Sequence, residues 1–195
     1  RRRESPIAID GKLSAAEWFG LDPAQGLKLE QGVHGEKVTY PSTAWLAWDD
    51  DALYVAFDNT VSTKTPMKRG DRWGSNDAVE VSICDPALGS KAMVLVVRGF
   101  TNGTVTASDE AGADEAVVKK LQAGVQYAAA IVAPDRWTAE MRIPFAALGI
   151  APTPDTRFPT SLAVRKQGRE AWILWHGPDN STWYVEKAGR IHFAR

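Results

Sequence analysis

Apolar and polar residues alternate with a period of two along much of this sequence, in short segments separated by turn residues. In residues 78–84 (AVEVSIC), Val79 and Val81 would point to one side of a strand and Glu80 to the other. This alternation is typical of half-buried β-strands. Further strands are predicted at residues 7–9, 42–48, 52–58, 91–98, 104–107, 125–132, 137–143, 162–166, 171–175 and 190–193. Many short strands with little helix predict an all-β fold, namely an antiparallel two-sheet β-sandwich of the jelly-roll or immunoglobulin-like kind.

One to three short helices are expected within this sandwich. Ser14 and Glu17 have the spacing of a capping box, which predicts a helical turn after Ser14. Residues 144–149 (PFAALG) fit a short helix that a proline begins and a glycine ends. Residues 113–121 fit either a third helix or a charged loop, and the pattern does not decide between them.

Length and charge narrow the classes of protein. The 195 residues suit a single domain spanning 1–195 with a substantial core. A formal net charge of −1 gives no global attraction to nucleic acid or membranes, and no stretch approaches the roughly 18 apolar residues of a membrane span. The lone cysteine, Cys84, excludes an intrachain disulfide and is predicted to be a small buried residue. No signal peptide precedes Arg1, so we interpret the chain as a mature or excised domain.

Two of the eight tryptophans lie in polar loop sequence. Trp73 occurs in RGDRWGSND and Trp183 in HGPDNSTWYVEK. A rigid aromatic ring on a polar loop provides contact area at low entropic cost, so the pair predicts a clamp for a flat, hydroxyl-rich ligand. The alternative is that both rings cover the core. The other tryptophans have apolar neighbours and are predicted to be core or half-buried residues: Trp18, Trp45, Trp48, Trp137, Trp172 and Trp175.

Catalytic motifs are absent from the sequence, which has no GxSxG, no HExxH, no phosphate-binding glycine loop and no cysteine pair for zinc. His176 lies near Trp183 in the chain and is a candidate ligand contact. Asp49, Asp50 and Asp51 could hold calcium through oxygen ligands, with an ordinary hairpin turn as the alternative. No cofactor is required by these patterns. A pair of carboxylates would suffice for glycoside hydrolysis, so a small polysaccharide hydrolase or lyase is an alternative function.

Five segments, in order, resemble the family 9 carbohydrate-binding modules, which belong to the wider DOMON-like β-sandwiches. The segments are IDGKLSAAEW (9–18), AWLAWDDDALYVAF (44–57), RWGSNDAVEVSI (72–83), RWTAEMRIPFAALG (136–149) and ILWHGPDNSTWYVEKAGRIHF (173–193). The resemblance implies a β-sandwich and a non-catalytic module, tethered in its parent protein to an enzyme that degrades polysaccharides. It also implies a secreted, extracellular or periplasmic location.

The resemblance assigns roles to four residues. In that family two tryptophans grip the sugar, and the matching positions are Trp73, just before the DxVE strand, and Trp183. The family's acidic strand residue, which bonds sugar hydroxyls, matches Glu80, and its loop asparagine matches Asn180. The ligand that this arrangement implies is a poly- or oligosaccharide.

Other positions depart from the family pattern. The basic residue that should meet the sugar has its nearest candidate in Arg98, two residues beyond the expected place, and Arg165 is the polar member of a later strand. Residues 20–40 show no useful match. A basic cluster before Trp73 is read either as a solvated loop or as a preference for acidic or sulfated sugars: Lys64, Lys68, Arg69 and Arg72.

The sequence therefore predicts a carbohydrate-binding module. A cleft capped by two loop tryptophans holds one or two sugar rings, which predicts recognition of a chain end of a plant or algal polysaccharide, the reducing end included. The main alternative is a haem-binding DOMON-like electron-transfer domain with Met67 and His176 as axial ligands.

Overall fold

The computed structural model describes residues 2–84, 94–153, 156–168, 171–177, 180–185 and 187–193. The helices are α1 (Glu115–Gly124) and α2 (Phe145–Leu148), with 3₁₀ turns at Phe19–Leu21 and Pro23–Gln25. The strands are β1 (Leu27–Gly32), β2 (Lys37–Trp48), β3 (Ala52–Thr60), β4 (Ala78–Cys84), β5 (Val94–Phe100), β6 (Val105–Ser108), β7 (Gln126–Ala133), β8 (Arg136–Pro144), β9 (Arg157–Arg165), β10 (Trp172–Leu174) and β11 (Gly189–His192).

Antiparallel pairing joins these strands into one sheet, in the order β6-β5-β4-β9-β10-β1-β2-β3-β8-β7, with β11 paired to β9. The sheet curls until its two ends approach each other. Tyr127 on β7 packs over Gly99 on β5, where a larger residue would collide with the ring. Helix α1 contacts both β6 and β8 and so bridges the two ends. The halves of this flattened barrel face each other as in a sandwich, which confirms the predicted all-β antiparallel fold.

The main core fills the space between the two halves of the sheet. Alternate residues of β3, β4 and β8 enter it as the period-two pattern predicted. Because each is nearly or fully buried, these side chains supply most of the hydrophobic stabilisation. Representative members are Val55, Phe57, Val79, Val81, Trp137, Met141 and Leu162.

A second, smaller apolar cluster lies on the opposite face of β2 and β3. Here the N-terminal segment packs Ile7 and Trp18 against Trp45 and Tyr54, all nearly or fully buried. Both faces of these central strands are therefore covered.

Alternation along residues 137–143 places Glu140 on the face of β8 that points away from the main core, and the structure buries it on that face. Its Oε1 accepts a hydrogen bond from Trp18 Nε1 at 2.8 Å, and its Oε2 accepts from the Gly11 amide at 2.8 Å. Thr138 on the same face donates to the Gly11 carbonyl at 2.6 Å. The covering N-terminal segment thus satisfies polar groups that alternation places on the outward face.

Local elements differ from prediction at several points. Strand β1 was not predicted, and residues 7–9 form no strand. The Ser14 carbonyl does begin a turn, but Glu17 accepts a hydrogen bond from the Ala8 amide at 3.2 Å instead of completing a capping box. Residues 91–93 of one predicted strand lie outside the described residues.

The helical segments follow the sequence more closely. Residues 144–149 contain α2, which ends at Gly149 in the left-handed conformation, with φ of 71°. Within residues 113–121, for which the pattern allowed either a helix or a charged loop, α1 begins at Glu115. Cys84 is buried as predicted. Among the described helices, none has the length and apolar character to cross a membrane.

Candidate functional site

The candidate site lies on the face of β5, β4, β9 and β10 that points away from the main core. Register places Glu80 opposite Arg98 on the neighbouring strand. Arg165 on β9 lies opposite Trp172 on β10. Because cross-strand partners share a face of the sheet, these four side chains form one charged and aromatic platform.

Loops above this platform enclose a cleft of about 350 Å³. Trp73 and Trp183, which lie 110 positions apart in the chain, both line it, and so does Trp172. The Trp73 and Trp172 rings pack edge to face, with centroids 5.1 Å apart and planes inclined by 61°. The described residues that line the cleft are Val33, His34, Trp73, Glu110, Trp172, Asn180, Ser181, Thr182 and Trp183.

Hydrogen bonds fix the loop that carries Trp73. Asp77 accepts from the Lys68 amide at 2.7 Å, which ties the start of the loop to its end. Asn76 accepts from the Arg72 amide at 3.0 Å, and Gln167 Nε2 donates to the Ser75 carbonyl at 3.0 Å. Burial raises the pKa of Asp77, against the opposing effect of the hydrogen bonds that it accepts from the Lys68 and Gln167 amides. The loop is thus held in one conformation, which reduces the entropy lost on binding.

Arg98 is the centre of an ion-pair network beneath Trp73. Its Nε donates to Glu80 Oε2 at 2.7 Å, and its Nη2 donates to Glu110 Oε2 at 2.6 Å. The guanidinium carbon lies 4.5 Å from the centre of the Trp73 ring, within cation–π range. Arg98 thereby holds both a carboxylate of the cleft wall and the aromatic ring above it.

Glu80 has the direction that its sequence position predicted, yet it is completely buried. Its Oε1 has no hydrogen-bond partner among the described residues. Burial raises the pKa of Glu80, while Arg98 and the nearby Thr182 hydroxyl act to lower it. Thr182 lines the cleft and Glu80 does not, so Thr182 lies between this carboxylate and the open space.

Arg165 anchors the loop. Its Nε and Nη2 both donate to the Gly74 carbonyl, at 3.3 and 3.0 Å. The guanidinium carbon lies 5.2 Å from the centre of the Trp172 ring. Burial lowers the pKa of Arg165, and the Asp77 carboxylate acts against this. Its Nη1 is buried without a partner in the described part of the chain.

The remaining polar candidates separate into two groups. Asn180 lines the cleft. Its backbone N–H donates to the Val33 carbonyl at 3.1 Å, which links this loop to the turn between β1 and β2. His176 is exposed beside Trp175 and is not among the residues that line the cleft.

The three aspartates proposed for calcium lie in the turn between β2 and β3. Asp49 Oδ1 accepts from the amides of Asp51 and Ala52, at 2.9 and 2.8 Å, and its Oδ2 accepts from the Tyr54 hydroxyl at 2.6 Å. Asp50 pairs with Arg2. Within the described residues, no three His, Cys, Asp or Glu side chains converge as a metal site. Calcium binding stays a prediction.

Six of the described lining residues were not predicted from the sequence: Val33, His34, Glu110, Trp172, Ser181 and Thr182. Trp172 was predicted to be a core or half-buried residue because its segment is apolar, and its place opposite Arg165 puts it on the cleft face. Glu110 follows β6 in a turn, and His34 lies in the segment 20–40 that showed no match. For Glu110 and His34 the sequence carried no usable signal, because only the tertiary fold brings these turns to the cleft.

The chain matches the sequence profile of the family described as carbohydrate family 9 binding domain-like over residues 9–188. It therefore belongs to this family and is a non-catalytic carbohydrate-binding module. No curated protein matches the chain.

Solved structures are similar to it over the whole chain. One is a family 9 carbohydrate-binding module from Caldicellulosiruptor kristjanssonii in complex with cellotriose, at 20% identity and a TM-score of 0.73, covering 100% of this chain and 92% of the other. A second, from the same organism and in complex with glucose, has 19% identity, a TM-score of 0.69 and coverages of 100% and 97%. A protein from Bacteroides uniformis ATCC 8492 has 12% identity, a TM-score of 0.56 and coverages of 99% and 96%.

Proposed function

We propose that this module binds the end of an oligo- or polysaccharide chain, with a terminal sugar ring held between Trp73 and Trp183. The observation that carries the proposal is that two tryptophans from distant polar loops line one cleft. Aromatic rings stack on the apolar faces of sugar rings, and tryptophan is enriched among residues that dominate binding energy. Trp172 adds a third aromatic wall to the same cleft.

The size of the cleft supports recognition of a terminus. About 350 Å³ is at the lower end of the range for small-molecule sites, which is room for one or two sugar rings. A cleft of this volume has no room for the continuing polymer within it. The similar Caldicellulosiruptor kristjanssonii modules were solved in complex with cellotriose and with glucose, so the proposed ligand is a β-linked glucose chain or a relative of it.

Polar groups would fix the orientation of the ring. Asn180 and Ser181 offer an amide and a hydroxyl group at the edge of the cleft. We further propose that a sugar hydroxyl donates to Glu80 Oε1 after a small displacement of Thr182, since this buried oxygen has no other partner in the described residues. Charge-assisted bonds of this kind are stronger than neutral ones.

Membership of the family also supports proposals about context. We propose that the module acts outside the cytoplasm, secreted or periplasmic, attached to an enzyme that degrades polysaccharides. A structural calcium ion remains part of this proposal, although the Asp49 turn is stabilised by its own hydrogen bonds.

Calorimetric titration with cellotriose tests the proposal directly. Few rings are contacted, so we expect a Kd of roughly micromolar to millimolar. Reduction of the terminal sugar with borohydride opens the ring on which the tryptophans stack, and binding should be lost. Equal affinity for the intact and reduced forms would exclude recognition of the reducing end, and affinity that rises steadily with chain length would show that the module binds along chains instead.

A further inference from the structure

The cleft is distinguished by an exposed carboxylate without a matching exposed cation. Glu110 is the one carboxylate among the described residues that line it, and none of them is a lysine or an arginine. The Glu110 side chain is 51% exposed. Its Oε2 accepts from Arg98, whereas its Oε1 makes no hydrogen bond to the described residues. A carboxylate oxygen is therefore available at the wall beside the tryptophans.

The charges behind the wall do not cancel that of Glu110. Arg98 is paired with Glu80 at 2.7 Å as well as with Glu110 at 2.6 Å, so one guanidinium serves two carboxylates. The other cation of the platform, Arg165, interacts electrostatically with Asp77. When these five groups are ionised, the three carboxylates exceed the two guanidinium groups by one negative charge, and the exposed member is Glu110.

The basic side chains near Trp73 do not line the cleft. They are exposed and lie outside the set of described lining residues, so none of them would contact a bound ring as Glu110 would: Lys64, Lys68, Arg69 and Arg72.

We infer that the cleft selects sugars by charge. It favours a ring that carries a protonated amino group over the neutral ring of the same shape, and it disfavours a uronic acid. The ammonium group would bond Glu110 Oε1 and lie near the π faces of the tryptophans, which attract cations. This inference rests on the proposed function, because it takes the cleft to be the sugar site.

The size of the preference follows from the exposure of Glu110. Ion pairs between exposed groups contribute about 0.2–1 kcal/mol, which corresponds to roughly 1.4- to fivefold in affinity. The preference should weaken between about 0.01 M and about 1 M salt, because the Debye length falls from roughly 30 Å to 3 Å.

The test is calorimetric titration of the purified chain with D-glucosamine, D-glucose, N-acetylglucosamine and D-glucuronic acid at about pH 6, where an amine of this type is protonated. We expect glucosamine to bind roughly 1.4- to fivefold more tightly than glucose in low salt, and glucuronic acid to bind more weakly than glucose. Glu110→Gln should reduce the ratio of the glucosamine affinity to the glucose affinity to about one, whatever its effect on the glucose affinity itself. Glu115→Gln is the matched control, because Glu115 is exposed, pairs with Lys119 and lies outside the cleft.

Three results would overturn the inference and leave the proposed function intact. Glucosamine and glucose could bind equally to the native chain, the preference for glucosamine could survive in Glu110→Gln, or glucuronic acid could bind at least as tightly as glucose. If cellotriose, glucose and glucosamine all fail to bind, the proposed function fails together with the inference.

Discussion

Replacement of Trp73 or Trp183 by alanine should weaken sugar binding in both cases, but only the loss of Trp73 should also lower the stability of the fold. Each ring faces the cleft from a polar loop. Truncation of an aromatic residue at the centre of a small site costs about 2 kcal/mol or more of binding free energy, which is roughly a 30-fold rise in Kd. We therefore expect both variants to lose cellotriose binding by at least about this factor.

The effect on unfolding should be larger for Trp73. Its ring packs edge to face on Trp172 and stacks over Arg98. Contacts of these two types contribute about 0.5–1.5 and 0.5–1 kcal/mol. Trp73→Ala should thus lower the free energy of unfolding by roughly 1–2.5 kcal/mol, a fall in Tm of about 2–10 °C for a chain of this length. No such ring contact involves Trp183, within the described residues, so its alanine variant should unfold nearly like the native chain.

Calorimetric titration with cellotriose and differential scanning calorimetry measure the two quantities. Tyr40→Ala is a suitable control, because Tyr40 is an exposed aromatic residue outside the cleft, and its loss should leave binding unchanged. The reasoning would be refuted if Trp183→Ala bound cellotriose like the native chain, or if Trp73→Ala lost several kcal/mol of stability with its affinity intact. Either result would mean that the ring in question covers the hydrophobic core and does not hold the sugar.

Three further perturbations test the buried network and the N-terminal cover. Glu80→Gln should weaken sugar binding by about 1–3 kcal/mol, measured by calorimetry. It should also lower the stability measured by urea unfolding, because it removes one partner of a buried ion pair. A native-like affinity together with a native-like stability would show that Glu80 neither binds the sugar nor stabilises the fold. Burial raises the pKa of Glu80 and Glu140, so the native state binds protons more readily than the unfolded chain. Stability should therefore rise as pH falls from the raised native pKa values toward the unfolded value of 4.5, and this slope should flatten in Glu140→Gln. A native stability that decreases as the pH is lowered over that interval would contradict the assignment. Gly11→Ala should destabilise by more than about 1 kcal/mol in thermal unfolding without affecting binding, since φ is +81° and a Cβ would lie 2.8 Å from the Ala129 backbone, and an unchanged Tm would refute this.

The sequence predicted most of the fold because alternation reports directly on a half-buried strand. The pattern around Val55 and Phe57 placed both side chains in the main core, where the structure has them. The pattern did not indicate that the N-terminal segment covers the other face of these strands, because Glu140 and Thr138 are polar residues whose partners lie about 130 positions away in the chain. Alternation distinguishes two faces of a strand but cannot state what covers each face.

Strand β1 shows a second limit. Its residues LKLEQG carry a weak apolar pattern, and the strand is held by pairing with β2 and with β10, far along the chain. Local sequence contains little information about such pairing. Trp172 shows a related limit at the site, since an apolar neighbourhood predicts burial whether the ring enters the core or forms the wall of a cleft.

The cleft draws its lining from five separate parts of the chain, around residues 33, 73, 110, 172 and 180–183. If any one of these parts unfolds locally, the binding surface is incomplete. A bound sugar therefore opposes each local unfolding event as well as global unfolding. At a ligand concentration of about 100 times Kd, this linkage adds roughly 2.7 kcal/mol to the native state. Saturation with sugar should therefore slow amide hydrogen exchange in all five segments together, including the β1–β2 turn, which is far in sequence from either loop tryptophan. A small oligosaccharide would act on this protein as a reversible cross-link between distant stretches of its own chain.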